Sequence, residues 1–162
     1  MLDRLREFHR RTGASHFASS ASVLPILVEI KGLMKDGDVC LLSKAHGITA
    51  YNLVFGVPMD AAPVQGEFGS LGSGLAFAVG VAKVRPGSTV YVVVGDGELQ
   101  EGSCLEALMA AERLGIENLV VYVDWNGMQG MGDCAYPEWV LPPMIWRKTV
   151  KGDRWECHYD NA

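Results

Sequence analysis

The chain has 162 residues, 49% of them hydrophobic and 20% charged, with a formal net charge of −5. That is enough chain to bury a real core, and the composition is that of a globular protein rather than a disordered one. The acidic balance and the lack of a basic cluster argue against a nucleic-acid backbone as partner. No apolar run approaches the ~18 residues of a membrane span, and the start, MLDRLREFHRRTG, lacks the apolar stretch of a signal peptide.

Taken in chain order, residues 1–12 read as a short amphipathic helix with Leu2, Leu5 and Phe8 on one side. A second helix is expected from Ala21 to Met34, begun by the serine-rich run with Pro25 near its first turn. The Asp36-Gly37-Asp38 turn leads into a brief buried strand, Val39 to Leu42, and residues 46–55 look helical. After a Pro/Gly loop, the small-residue run GSLGSGLAFAVGVAKV opens a tightly packed helix.

Thr89–Val94 is β-branched and apolar, as a strand covered on both faces must be, and it runs into Gly95-Asp96-Gly97-Glu98. A helix follows over Ser103–Leu114 and stops at Gly115; 118–124, NLVVYVD, repeats the buried-strand pattern; Ile145–Val150 is a last, weaker strand. Alternating strands and helices predict one α/β domain over residues 1–162, a twisted, mostly parallel sheet with helices on both faces. Four cysteines (Cys40, Cys104, Cys134, Cys157) without a CxxC pair suit a reduced, cytoplasmic protein, with Cys40 and Cys104 as buried thiols.

The 19 glycines exceed the usual ~7% share and gather in turns, which points to places where backbone approaches a phosphate or cofactor. In parallel sheets, ligands sit beyond the carboxyl ends of the strands. Two such ends carry polar residues a core would not choose, Asp96 and Asp124-Trp125-Asn126. If the strands are neighbours, Asp96 and Asn126 meet, and a carboxylate with an amide oxygen is an oxygen-donor pair suited to Mg²⁺. The plain alternative is a Gly-Asp-Gly turn whose acid caps the next helix. GSLGSG only weakly echoes a dinucleotide-binding loop, lacking a strongly apolar strand ahead of it.

The run GDGELQEGSCLEALMAAERLGIENLVVYVDWNGMQG resembles the thiamine-diphosphate (ThDP) signature of transketolases, a GDG followed some thirty residues later by Asn. LSKAH is similar to that family's LSKGH, GSLGSGLAFAVGVA to its GSLGQGLSIAVGMA, ASHFASSASVLPIL to its GHxGxSLSxxxIL, and TVKG to its TVKGKG. The resemblance covers nearly the whole chain and identifies it with the N-terminal, diphosphate-binding domain, as in the small subunit of split transketolase-like enzymes.

It implies ThDP and Mg²⁺ (or Ca²⁺) as cofactors, the metal held by Asp96, Asn126 and the Met128 carbonyl. Cofactor contacts fall on His46, Gly69, Ser70, Leu71, Gly95, Asp96, Gly97, Glu98 and Asn126. His16 faces the substrate, His46 the diphosphate, and Glu101 is an acid at the subunit interface. The glutamate that the family places against the pyrimidine ring belongs to a pyrimidine-binding domain for which this chain has no room. A second polypeptide carrying that domain is therefore expected, in an α2β2 assembly that passes a two-carbon ketol unit from a ketose-like donor to an aldehyde-like acceptor. The runners-up are one component of a ThDP 2-oxo acid decarboxylase or lyase, and a non-catalytic degenerate subunit.

The pattern also breaks in places. Ala45 stands for the glycine of SKGH, PVQGEF lacks the family's histidine before GSLG, and KGD replaces KGKG, so His158 has no safe counterpart. DCAYPEWVLPPMIW replaces several dozen residues, which should cost the sheet an edge.

Overall fold

The computed structural model describes residues 1–13, 16–57, 70–129, 132–134 and 145–148, the last four by backbone alone. Its core is a four-stranded, wholly parallel sheet of β1 (Val39–Leu42), β2 (Val90–Gly95), β3 (Leu119–Asp124) and β6 (Ile145–Lys148), in the order β1-β2-β3-β6. A small antiparallel pair, β4 (Met128–Gln129) and β5 (Gly132–Asp133), follows β3. The helices are α1 (Leu2–Thr12), α2 (Phe17–Leu33), α3 (Ile48–Phe55), α4 (Ser73–Val84) and α5 (Gly102–Arg113).

Side-chain alternation along the strands divides the core in two. Cys40, Leu42, Tyr91, Val93 and Tyr122 face α1, α2 and α3. Leu41, Val90, Val92, Val94, Val121 and Val123 face α4 and α5. All six residues of β2 are buried, so the TVYVVVG run is unbroken because both of its faces are covered. Helices on both faces of a parallel sheet make this the expected α/β fold.

One boundary is corrected. α2 begins at Phe17, four residues before the expected Ala21, and Pro25 lies inside it rather than in its first turn. The proline ring is on the exposed side, and the serines expected to start the helix are buried within it. Proline removes one backbone hydrogen bond, but ten buried residues of α2 hold the helix in place against that loss. Of the expected last strand, Ile145–Lys148 pairs parallel to β3; Val150, TVKG and His158 lie outside the described residues, as do PVQGEF and most of DCAYPEWVLPPMIW. Among the described residues no helix is long and apolar enough to cross a membrane.

Candidate functional site

The parallel ladder sets β2 and β3 side by side, with Gly95 opposite Asp124. Asp96 therefore leaves β2 beside the turn that leaves β3. Its Oδ2 accepts the Gly127 N–H at 2.6 Å, and its Oδ1 accepts the Gly97 N–H at 2.9 Å. Gly127 has φ 75°, a left-handed conformation that glycine takes without strain. Asn126 closes the same turn, its Oδ1 accepting the Met128 N–H at 2.9 Å. Asp96, Asn126 and Met128 are thus brought together within one hydrogen-bonded loop.

The carboxyl end of the sheet carries more buried charge than the motifs indicated. Asp96, Glu98 and Asp124 are 2%, 4% and 0% exposed. Lys44, just past β1, donates from Nζ to Asp124 Oδ2, and its charge also draws down the carboxyl pKa values of Asp96 and Glu98. Burial nonetheless leaves both of those acids above the ordinary carboxylate range: for Asp96 against the Gly127 and Gly97 N–H bonds, for Glu98 against bonds from Ser43, Gly72 and Gly95.

Glu98 is a tie between loops. Its Oε1 accepts from Ser43 Oγ and from the Gly72 N–H at 2.8 Å, its Oε2 from the Gly95 N–H at 3.2 Å. One carboxylate therefore holds the end of β1, the end of β2 and the turn entering α4. Gly72, at φ 86°, leaves no space for a side chain, because an added Cβ would lie 2.2 Å from Ser103 Oγ. At Gly97 an added Cβ would lie 2.7 Å from the Gln129 Cβ, so this glycine lets the β4 loop close over the β2 end.

The two histidines expected at the site meet. His16 and His46 stack with ring centroids 3.8 Å apart and planes 10° from parallel. His16 is the only non-glycine described with positive φ, 64°, where it ends the chain's approach to α2. Such a backbone is uncommon outside glycine, although histidine takes it more readily than most residues, and it is kept where its surroundings fix it. His46 sits in the 3-10 turn Ala45–Gly47, and its carbonyl accepts from Ser20 Oγ at 3.0 Å. Ser70 and Leu71 lie in the exposed turn before α4, and Gly69 lies outside the described residues. Glu101 is the exposed N-cap residue of α5 and makes no side-chain cap bond.

Reasoning from sequence missed Lys44 as a charge, and missed Ser22, Ser43 and Asp124 as its buried companions. Ser22 Oγ donates to Asp124 Oδ1 at 2.7 Å and accepts from Asn126 Nδ2 at 3.1 Å. Ser19, one turn before Ser22 on α2, keeps a buried hydroxyl with no hydrogen-bond partner among the described residues. The available signal was a polar residue in an otherwise buried run: three serines in α2, and a serine and a lysine following an apolar strand.

The donor types, a carboxylate and an amide oxygen, are those a divalent cation such as Mg²⁺ takes. Three buried carboxylates share one described ammonium, and among the described residues no three His, Cys, Asp or Glu side chains converge. A cation here would take one carboxylate, one amide oxygen and main-chain carbonyls, completing its shell from an outside ligand, which is how Mg²⁺ binds together with a phosphorylated molecule.

This architecture, with polar turns at the carboxyl ends of neighbouring parallel strands, is that of a cofactor-binding α/β domain. The profile of the family described as thiamine pyrophosphate enzyme, C-terminal TPP binding domain, matches residues 45–134, more than half of the chain, and the chain belongs to that family. That description sets the domain at the C-terminal side of its enzymes, so the N-terminal label taken from transketolases was the less precise one.

Among individual proteins, the chain is 37% identical over 126 residues to ferredoxin fas2 of Rhodococcoides fascians, covering 60% of this chain and 41% of that protein. It is 32% identical over 123 residues to an apulose-4-phosphate transketolase subunit of Actinobacillus succinogenes, covering 59% and 45%. Human transketolase is 42% identical over 72 residues, 41% of this chain and 11% of that protein. The chain thus spans less than half the length of these relatives, and the similarity makes it a transketolase-like ThDP-binding domain.

Proposed function

We propose that this domain is the diphosphate-binding subunit of a split, ThDP-dependent transketolase-like enzyme that moves a two-carbon ketol unit from a ketose-like donor to an aldehyde-like acceptor. The observation that carries the reading is the Asp96–Gly127 bond, which joins the Gly-Asp-Gly turn to the Asn126–Met128 turn at neighbouring strand ends. Asp96, the Asn126 Oδ1 and the Met128 carbonyl would hold Mg²⁺ (or Ca²⁺), and the cation would take its other ligands from the cofactor diphosphate. ThDP, when bound, supplies the carbanion stabilisation on which such transfers depend.

The protein's part is to bind, orient and exclude water. Gly95, Gly97 and Glu98 shape the turn that admits the diphosphate, with Gly69, Ser70 and Leu71 toward the heterocycle end. His46 would donate to a diphosphate oxygen. His16, stacked on His46, would face the substrate. Glu101, exposed at the start of α5, is available to a partner surface.

The partner is a second polypeptide bearing a pyrimidine-binding domain. Relatives from Actinobacillus succinogenes and Phocaeicola vulgatus, each named as one subunit of an apulose-4-phosphate transketolase, favour that arrangement. The test is calorimetric titration of ThDP and Mg²⁺ into the chain, alone and with a candidate pyrimidine-domain partner, beside an Asp96→Ala control. Metal-dependent, saturable binding that vanishes in the control is the expected result. A folded protein that binds nothing under either condition would sink the catalytic reading and leave a structural role in its place.

A further inference from the structure

Behind the Asn126 turn runs a buried chain of hydrogen bonds that the proposed reaction does not use directly. Lys44 Nζ donates to Asp124 Oδ2, Ser22 Oγ donates to Asp124 Oδ1 at 2.7 Å, and Asn126 Nδ2 donates to Ser22 Oγ at 3.1 Å. Asp124 is fully buried, and the Lys44 side chain is only 12% exposed. At its far end the Asn126 Oδ1 accepts the Met128 N–H at 2.9 Å.

The chemistry of each group fixes the direction of the chain. A carboxylate paired with an ammonium only accepts hydrogen bonds. The hydroxyl of Ser22 has one proton, and Asp124 takes it. Toward Asn126, Ser22 can therefore only accept, so the carboxamide must turn its NH₂ to the serine and its oxygen the other way. The Met128 N–H favours the same orientation, because it would face an NH₂ if the amide were reversed. A carbonyl oxygen has two lone pairs; Met128 occupies one and leaves the other for a cation. An asparagine without these neighbours offers its oxygen and its NH₂ with no preference, and an NH₂ turned toward a cation repels it.

We propose that Asp124 and Ser22, with Lys44 behind them, are positioning residues that fix the sense of the Asn126 carboxamide and make it an oxygen donor. The inference rests on Asn126 being a cation ligand, and it assigns work to three residues from separate segments: the strand β1 end, helix α2 and the strand β3 end. Outer partners of metal ligands act in this way generally, and their loss typically costs roughly 10–100-fold in metal affinity.

The test separates orientation from binding. In the full chain without metal, the side-chain amide protons of Asn126 are followed by ¹⁵N-edited NMR with asparagine labelling, assigned by their loss in Asn126→Asp. The wild-type pair should be shifted from free asparagine and slow to exchange. Ser22→Ala should abolish that protection, and Ser22→Thr, which keeps the hydroxyl, should restore it.

Mn²⁺ affinity in the presence of ThDP should fall by roughly 10–100-fold in Ser22→Ala and recover in Ser22→Thr. The proposal is overturned if the wild-type amide exchanges as freely as an exposed asparagine, a result that needs no variant to fold. It is also overturned if Ser22→Ala lowers the melting temperature while leaving the amide signal and Mn²⁺ affinity unchanged. A protected wild-type amide in a chain that binds no Mn²⁺ would instead sink the cation reading and leave the orientation standing.

Discussion

The two ends of the same sheet use the same residue types to opposite effect. At the amino end, Asp38 accepts the Thr89 N–H at 2.8 Å and the Lys35 N–H at 2.9 Å. Those bonds hold its carboxyl below the ordinary range, and the residue stays partly exposed. Asn118 completes that end by donating to the carbonyls of Ala82, Arg85 and Ser88 at 3.2, 2.9 and 2.8 Å. At the carboxyl end, Asp96 and Glu98 also accept backbone N–H bonds, but burial outweighs those bonds and raises both carboxyls. A turn that only has to hold loops together leaves its acid in partial contact with water. An acid kept out of water at the cost of easy ionisation marks a place arranged for something else, and perturbed groups of this kind gather at functional sites.

The sharpest break in this comparison comes from paired alanine variants. Asp96→Ala should weaken metal-dependent ThDP binding by more than the roughly 100-fold upper range for losing an outer partner, since a direct ligand goes. Asp38→Ala should leave that binding unchanged and lower only the melting temperature. Calorimetry and a thermal scan on both variants decide it; equal effects on binding would dissolve the distinction between the two ends.

Next in size is a pair of glycines. Gly72 at the carboxyl end and Gly37 at the amino end have nearly the same backbone, φ 86° and 89°. Alanine at either costs about 1–3 kcal/mol for the left-handed backbone. At Gly72 the new Cβ also meets Ser103 Oγ at 2.2 Å, whereas at Gly37 its nearest neighbour is Ser88 Oγ at 3.7 Å. Denaturant titration should therefore find Gly72→Ala clearly the worse, and the difference measures how tightly the α4 turn is held against α5.

A smaller effect is expected from Asn118→Ala, which deprives three carbonyls of a shared donor and should cost about 1–3 kcal/mol in total, with cofactor binding intact. Smallest are the thiols. Burial pushes Cys40 and Cys104 up to about 12 and Cys134 up to about 11. A raised thiol pKa means less thiolate at a given pH, so alkylation in the folded protein should keep climbing above about pH 10, where an ordinary thiol with pKa about 8.5 has levelled off. Peptide mapping should find Cys134, which is only partly buried, ahead of Cys40 and Cys104.

The fold was legible because its signals are local. An apolar run such as residues 90–94, and the small-residue helix after GSLG, declare their environment by period and composition. Asp96 and Asn126 were legible as polar residues at two strand ends. What stayed hidden depends on partners far along the chain. The serines of α2 have the local character of helix starters, and only the carbonyl of His46 and the carboxylate of Asp124 explain why Ser20 and Ser22 are buried inside the helix. Lys44 looked like the second letter of a motif until its ammonium was found on Asp124. The stacking of His16 on His46 rests likewise on a long-range meeting, of the approach to α2 with the 3-10 turn after β1.

The hydrogen bonds of Ser22 to Asp124 and Asn126 span 102 and 104 residues. A chain emerging from the ribosome can build α1 and α2 early, yet Ser22 has no partner until β3 and its turn have been made. Contacts this distant in sequence close late and slowly. During refolding, recovery of secondary structure should therefore precede recovery of metal binding, which makes ligand affinity a reporter on the last long-range closure of the chain.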